Sequence, residues 1–402
     1  MNLLLEHPHR FVPFGQEVEI QPHTSILITG ASGFVGSRLA EVLIKQFQCR
    51  VFALVRDYSK AMKISHLPIN FIGGDLRNTN WEKELPVELD YVFHFAYGSS
   101  GSSGERMATD IQGSEQLVRL AASRAVRKIV FLSTISVYRP KAAGKITEQS
   151  PLKPGDQYGK NKLAAESALI RECEKHRIPY TIFRPSAILG PGAPSYGNRI
   201  FKEIREAEIV FLNQGRGLLN WIFVDDVVRA SVHCLFRPES NNKLYVLSNH
   251  TEPITYLGFY EKMAEMLGSP LHSRFLDLKE NEKVLRNAKP RVLQILLGAI
   301  DRKKLRPLLQ HPVIGWFLKL LLPKIRRFRS PKPKAAPSIG MESKSRKLLP
   351  VQAEYCAFMV SEAVYQSEFL MKDRLLDAFC SGKEVFEAIA KHHQWANSWM
   401  DE

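Results

Sequence analysis

Cysteine is scarce: the 402-residue chain has five, at positions 49, 173, 234, 356 and 380, with no C-x-x-C pair and an odd total. Neither a disulfide framework nor a zinc site fits that spacing, so a reducing compartment and no metal are expected. Also lacking is any uncharged apolar run of the roughly 18 to 20 residues that a membrane-spanning helix needs. The first two dozen residues hold Glu6, Glu17, Glu19 and three His, with no apolar run led by Lys or Arg, which is unlike a secretion signal. A cytoplasmic protein, soluble or attached at a surface, is expected. There is no internal repeat, and 45% hydrophobic with 24% charged residues is the composition of a globular enzyme rather than of a disordered or fibrous chain.

Charge is uneven. Between Lys279 and Lys347 stand 19 Lys and Arg against four acids, Glu280, Glu282, Asp301 and Glu342, which accounts for the whole net charge of +15. The rest of the chain is neutral, so no nucleic-acid partner is expected. Within the basic segment, Pro312 to Arg329 reads PVIGWFLKLLLPKIRRFR, where Trp316, Phe317, Leu318 and Leu320 to Leu322 lead into Lys324, Arg326, Arg327 and Arg329. Two readings stay open. Residues 312–347 suit peripheral contact with an anionic membrane surface, or the apolar residues pack on the protein while the basic ones are solvated. Pro323 rules out one continuous helix, and Pro323 to Pro350 has the composition of a linker or surface loop.

Along the chain, short apolar runs at Ser25–Thr29, Val51–Val55, Ile69–Ile72, Tyr91–Phe95, Ile129–Leu132 and Tyr180–Phe183 read as buried strands. Amphipathic stretches separate them: Val35, Leu39, Val42 and Leu43 recur at helical spacing, as do residues in Ser114–Ala122 and Lys162–Glu174. Apolar strands alternating with helices predict an α/β chain, a doubly wound parallel sheet covered on both faces. The expected organisation is an N-terminal extension over residues 1–24 and the sheet-bearing unit over 25–250, with part of a second lobe interleaved from about 186. That smaller, mainly helical lobe follows over 251–402.

Between the first strand and helix lies Gly30-Ala-Ser32-Gly33-Phe34-Val35-Gly36. Glycines at that spacing allow a tight turn, close approach of backbone to a pyrophosphate and close packing of helix on strand, with the phosphates at the helix N-terminus. The second strand ends at Arg56-Asp57, with Lys60 and Lys63 following. A carboxylate there suits a free ribose 2′-hydroxyl and a guanidinium suits a 2′-phosphate; Arg56 favours NADP over NAD. Gly74-Asp75-Leu76, after the third strand, is placed to meet the adenine edge.

Tyr158 and Lys162 stand four apart at the start of a helical run and share one face. An adjacent ammonium favours a phenolate and brings a tyrosine toward the range of a useful acid/base. About 24 residues upstream, after a strand, comes Phe131-Leu-Ser-Thr134-Ile-Ser136-Val-Tyr138, which offers hydroxyls for a reacting oxygen. With the three glycines, Arg184-Pro185 and Val224-Asp225-Asp226, the stretch from about Ser25 to Ser248 resembles the extended short-chain dehydrogenase/reductase superfamily, its NAD-dependent epimerase/dehydratase group. The resemblance implies a Rossmann-type fold with a smaller C-terminal lobe over a small-molecule substrate, and often a homodimer through helices on one sheet face. It places Thr134 at the catalytic hydroxyl position, Ser133 or Ser136 being substitutes, with Tyr158 as acid/base and Lys162 as its partner. The implied activity is hydride transfer between nicotinamide and a secondary alcohol or ketone; the alternatives are a nucleotide-sugar epimerase and a non-catalytic dinucleotide-binding protein.

Three departures from the family bear on the reaction. Its dehydratases carry Asp-Glu directly after the catalytic Thr, where this chain has Ile135 and Ser136. Its nucleotide-sugar epimerases often place an Arg before V-x-D to clamp a diphosphate, where this chain has Leu219, leaving Arg199 or Arg205 as substitutes. Asp110 stands at a position usually held by Asn, and an ionised carboxylate cannot donate a hydrogen bond.

Overall fold

The apolar runs become strands because most are buried on both faces, which leaves no polar alternation to a parallel strand; in the edge strand Asn70–Gly73, Ile72 alone is buried. In the computed structural model, which describes residues 20–98, 101–138, 143–276, 347–348 and 359–398 together with Phe14 and Val18, the central sheet is formed by all six of them and a seventh strand, Lys243–Leu247, that was not expected. They are β1 (Ser25–Thr29), β2 (Arg50–Val55), β3 (Asn70–Gly73), β4 (Tyr91–His94), β5 (Lys128–Leu132), β6 (Tyr180–Pro185) and β7 (Lys243–Leu247). Their order is β7-β6-β5-β4-β1-β2-β3, with every neighbouring pair parallel.

Alternate residues along each strand feed two cores. Ile26, Ile28, Val51, Ala53 and Phe93 face one side, where α1 (Phe34–Lys45) supplies Leu39, Val42 and Leu43. Leu27, Phe52, Val92, Ile129 and Phe131 face the other, under Leu117 and Val118 of α2 (Ser103–Ser123) and Leu169 of α3 (Gln157–His176). The strand order reverses between β1 and β4, which opens a crevice at their carboxyl ends, the place where open α/β sheets bind ligands.

After β6 the chain leaves the sheet. Ala187–Leu189 pairs with Trp221–Phe223, and Leu218–Leu219 pairs with Ile254–Thr255, around α4 (Arg199–Glu206), α5 (Val224–His233) and α6 (Tyr256–Leu267). The described C-terminal residues add a strand, Glu362–Tyr365 against Ala143–Ile146, before α7 (Gly382–Ser398). Among its described residues the C-terminal lobe takes most of its regular structure from α6 and α7, as expected, with short strands such as Ile254–Thr255 and Glu362–Tyr365 beside them. Its return is fixed by hydrogen bonds that no local pattern announces: Asp226 accepts from Cys380 N (3.1 Å), Arg229 donates to the Ala378 carbonyl (2.6 Å), and the Tyr245 hydroxyl donates to Asp373 (2.6 Å). The two acids of the V-x-D motif are thus structural, since Asp225 accepts Arg38 through both oxygens at 2.7 and 3.0 Å.

By contacts the chain divides into Met1–Phe275 with Leu348–Glu402, and Leu276–Lys347. Apart from its two end residues the second unit lies outside the described residues, and with it the basic segment and the apolar cluster Trp316–Leu322. Among the described residues no helix is long and apolar enough to cross a membrane.

Candidate active site

The glycine turn is built as its spacing requires. Gly30 has φ +78°, and a Cβ there would stand 2.7 Å from Ala96 N on the neighbouring strand's exit. A Cβ on Gly36 would stand 2.2 Å from the Gly30 carbonyl oxygen, so only glycine lets α1 lie this close to the turn. Helix α1 starts after Gly33 with no acidic residue in its first turn and no side-chain cap, leaving its first amides for an anion.

A cleft of about 530 Å³ runs from this turn along the strand ends, lined by Gly30, Ser32, Gly33, Arg56, Asp75 and Leu76 and reaching Tyr97 and Asp110. The remaining residues of the motif have other surroundings. Val35 is buried in the core, Gly36 packs on Gly30, and Phe34 lines the neighbouring cleft beside Arg38 and Lys63. At the end of the cleft away from Tyr97 and Asp110, Arg56 is joined by Lys60 and Arg77. The Asp75 carboxylate is held by Arg77 through two hydrogen bonds of 3.0 Å, which keeps its carboxyl below the usual range. Asp57 caps the following turn by accepting from Ser59 N (3.0 Å) and the Ser59 hydroxyl (2.6 Å).

Thr134, Tyr158 and Lys162 come together at the ends of β5 and α3. Asp156 caps α3 by accepting from Gly159 N (2.6 Å), and a Cβ on Gly159 would stand 2.2 Å from the Ser136 carbonyl oxygen. That contact seats the first turn of α3, with Tyr158, against the Thr134–Ser136 loop. Tyr158 is 44% exposed, open to a substrate, whereas Lys162 one turn below is 3% exposed. The Lys162 ammonium donates to the Leu132 carbonyl (2.9 Å) and lies over the rings of Phe131 (5.0 Å) and Tyr97 (5.7 Å). Burial pulls its pKa down to about 8, opposed by Asp110 and Glu166. Thr134 Oγ accepts from Ser136 N (3.2 Å) and lies 3.4 Å from the Ser136 hydroxyl.

Ser133 does not offer the substitute hydroxyl: it is buried and donates to Glu166. Glu166 also accepts Arg184 at 2.6 and 3.1 Å, and Arg184 donates to the Tyr138 hydroxyl (2.6 Å), a buried network beneath the site. Glu166 was not legible as part of it. Neither was His94, whose Nε2 meets the Ser114 hydroxyl (3.1 Å) and whose Nδ1 meets the Thr29 hydroxyl (2.8 Å). Ser114 donates to the Asp110 carbonyl (2.7 Å), which assigns the proton to Nε2 of a neutral ring. Burial, then Lys162, lowers the His94 pKa to about 3. The arginines considered for a diphosphate clamp are engaged elsewhere, Arg199 with the Ser195 carbonyl (3.2 Å) and Arg205 with His393 (3.1 Å), and Leu219 is buried.

A sheet in this order, a glycine turn at its switch point and a Tyr-Lys pair beside a Thr define an enzyme of the extended short-chain dehydrogenase type. The chain belongs to the NAD dependent epimerase/dehydratase family, whose model matches residues 26–248. It is 26% identical to an uncharacterized UDP-glucose epimerase of Bacillus subtilis, over 53% of this chain and 73% of the relative. It is 28% identical to dTDP-D-glucose 4,6-dehydratase of Mus musculus, over 53% of this chain and 65% of the relative. The fold is that of UDP-glucuronic acid 4-epimerase from Bacillus cereus, solved with NAD, at a TM-score of 0.56 and 22% identity, over 63% of this chain and 86% of that one.

Proposed function

We propose that the chain transfers hydride between the nicotinamide of NADP and a secondary alcohol or ketone of a small-molecule substrate, with Tyr158 as the acid/base. The observation that carries this is the seating of Gly159 on the Ser136 carbonyl, which sets Tyr158 beside Thr134 with a buried ammonium below. The glycine turn fits a dinucleotide, since a side chain at Gly36 would fill the space its diphosphate loop needs closed. Gly30, Ser32, Gly33 and the first amides of α1, including those of Phe34, Val35 and Gly36, would hold the diphosphate. Arg56, with Lys60, would take the 2′-phosphate, Asp75 and Leu76 the adenine, and Tyr158 and Lys162 the nicotinamide ribose.

The bound nicotinamide supplies a hydride acceptor or donor at C4. In the oxidising direction the Tyr158 phenolate takes the substrate's hydroxyl proton while its carbinol hydrogen leaves as hydride; in reduction the phenol returns that proton to the carbonyl oxygen. Thr134 holds the same oxygen by its hydroxyl. The Lys162 ammonium stabilises the phenolate, and its pKa of about 8 keeps it charged through neutral pH.

A second reading, epimerisation of a nucleotide sugar, draws support from the Bacillus subtilis relative. Dehydration has less: Ile135 is buried and Ser136 carries no carboxylate where an elimination needs an acid and a base. Purified protein incubated with NADH and NADPH, washed and examined by mass spectrometry for retained dinucleotide, then supplied with a panel of ketones, separates them. NADPH retained and consumed supports the proposal. NAD carried tightly through purification, with no net consumption, supports the epimerase, and failure to bind either dinucleotide overturns both.

A further inference from the structure

We propose that Asp110 is a positioning residue for the Tyr158–Lys162 pair, a buried carboxylate that fixes the Tyr97–Gly98 turn over the pair and supplies negative charge to the Lys162 ammonium. The proposal rests on the assignment of Tyr158 and Lys162 above.

Asp110, in the middle of α2, is 8% exposed, and its Oδ1 accepts a short hydrogen bond from Gly98 N. Gly98 lies directly on α2, since a Cβ there would stand 2.7 Å from the Arg106 carbonyl oxygen one turn before Asp110. Held at its next residue, Tyr97 presents its ring edge-on to Tyr158, centroids 5.9 Å apart, with the Lys162 ammonium 5.7 Å from the Tyr97 centroid. The turn thus links the carboxylate to both members of the pair.

The charges around Lys162 leave Asp110 a distinct part. From α3, one turn on, Glu166 faces the ammonium, but both its oxygens are taken by Arg184 and one also by Ser133. From β4, His94 is neutral. From β5 come the Leu132 carbonyl and the Phe131 ring. Asp110 feels the charges of Lys162, Arg56 and Arg106. Burial holds its carboxyl above the ordinary range, while the Gly98 amide and Lys162 favour the ionised form. A buried ammonium held by a carbonyl is costly to keep charged, and a nearby carboxylate offsets that cost. Asparagine, the family's usual residue here, would accept from Gly98 N equally well but bring no charge. Asp110→Asn therefore separates the two roles.

The test is the pH profile of kcat/KM with NADPH for the full chain, alongside a direct titration of Lys162 by NMR on ¹⁵N-lysine-labelled protein. In Asp110→Asn the Lys162 titration and the alkaline limb should move down by about one pH unit, roughly a five-fold loss at pH 8 that approaches ten-fold at higher pH, with NADPH affinity unchanged. Asp110→Ala should show the same shift and a further loss at every pH, because Tyr97 is released. Asp110→Glu, which keeps the charge, should retain the wild-type Lys162 titration, and it serves also if the neutral variants do not fold: a titration in that variant shifted as far as one lacking the charge would overturn the proposal. So would an Asp110→Asn protein whose profile and Lys162 titration superimpose on the wild type. The NMR readout does not depend on turnover, so full activity in Tyr158→Phe would remove the catalytic reading and leave the Asp110–Lys162 coupling to be judged separately.

Discussion

Replacing Gly36 with Ala tests whether the turn is closed by backbone alone. The added Cβ would lie 2.2 Å from the Gly30 carbonyl oxygen, 2.8 Å from Gly30 C and 3.0 Å from Ala31 Cα. Each of these is a main-chain atom, so no side-chain rotation relieves the contact; α1 must move by more than an ångström at its first turn to restore ordinary van der Waals distance. Overpacking of that kind costs about 1–3 kcal/mol. Moving the amides that meet the diphosphate should weaken NADPH binding by at least about ten-fold, or about 1.4 kcal/mol. Urea unfolding at constant m-value and fluorescence titration with NADPH measure the two effects. Gly104→Ala is the control: nothing stands within 4 Å of a Cβ there, and the position is in the exposed first turn of α2, so stability should be unchanged or rise slightly. A Gly36→Ala protein with wild-type unfolding midpoint and wild-type NADPH affinity would refute the reasoning.

Three further outcomes follow from the same geometry. Arg56→Ala should weaken NADPH by roughly ten- to a hundred-fold and leave NADH unchanged, from a charge-assisted contact of about 1.5–3 kcal/mol; equal losses in calorimetry for both cofactors would sink the NADP assignment. Glu166→Ala strips a buried guanidinium of its partner and should cost about 3–5 kcal/mol in chemical denaturation, whereas a loss under 1 kcal/mol would mean that Arg184 finds other support. His94 has a pKa of about 3 in the folded state against an ordinary 6.5, so only the unfolded chain takes up its proton between those values. Stability should therefore fall as pH drops below about 6.5, by about 2 kcal/mol at pH 5, and His94→Gln should lack that component of the loss.

The strands and the glycine turn were legible because their causes are local. A run such as Val51–Val55 is apolar throughout, and Gly36 is required by a backbone contact only six residues away. Thr134, Tyr158 and Lys162 were legible as a set, though the contact that assembles them, Gly159 on Ser136, joins segments more than 20 residues apart. The start of α2 carried a readable signal that composition obscured: Ser102 and Glu105 form a capping box inside a stretch that otherwise looks like a flexible loop. Glu166, His94 and the roles of Asp225 and Asp226 were not legible, because, apart from Arg229 one turn after Asp226, the partners that fix them lie from 18 to 187 positions away and follow from packing rather than from spacing. Ser133 illustrates the converse, a hydroxyl in a suitable local pattern that the fold turns toward Glu166.

The central claim is that Tyr158 moves the proton. Tyr158→Phe keeps the ring against Tyr97 and removes only the phenol, so single-turnover measurements with saturating NADPH and whichever ketone in the panel the wild type reduces isolate that step. The rate should fall by about 10² to 10⁴, the usual contribution of a general acid/base, with NADPH affinity nearly unchanged. Reduction at the wild-type rate in that variant would contradict it.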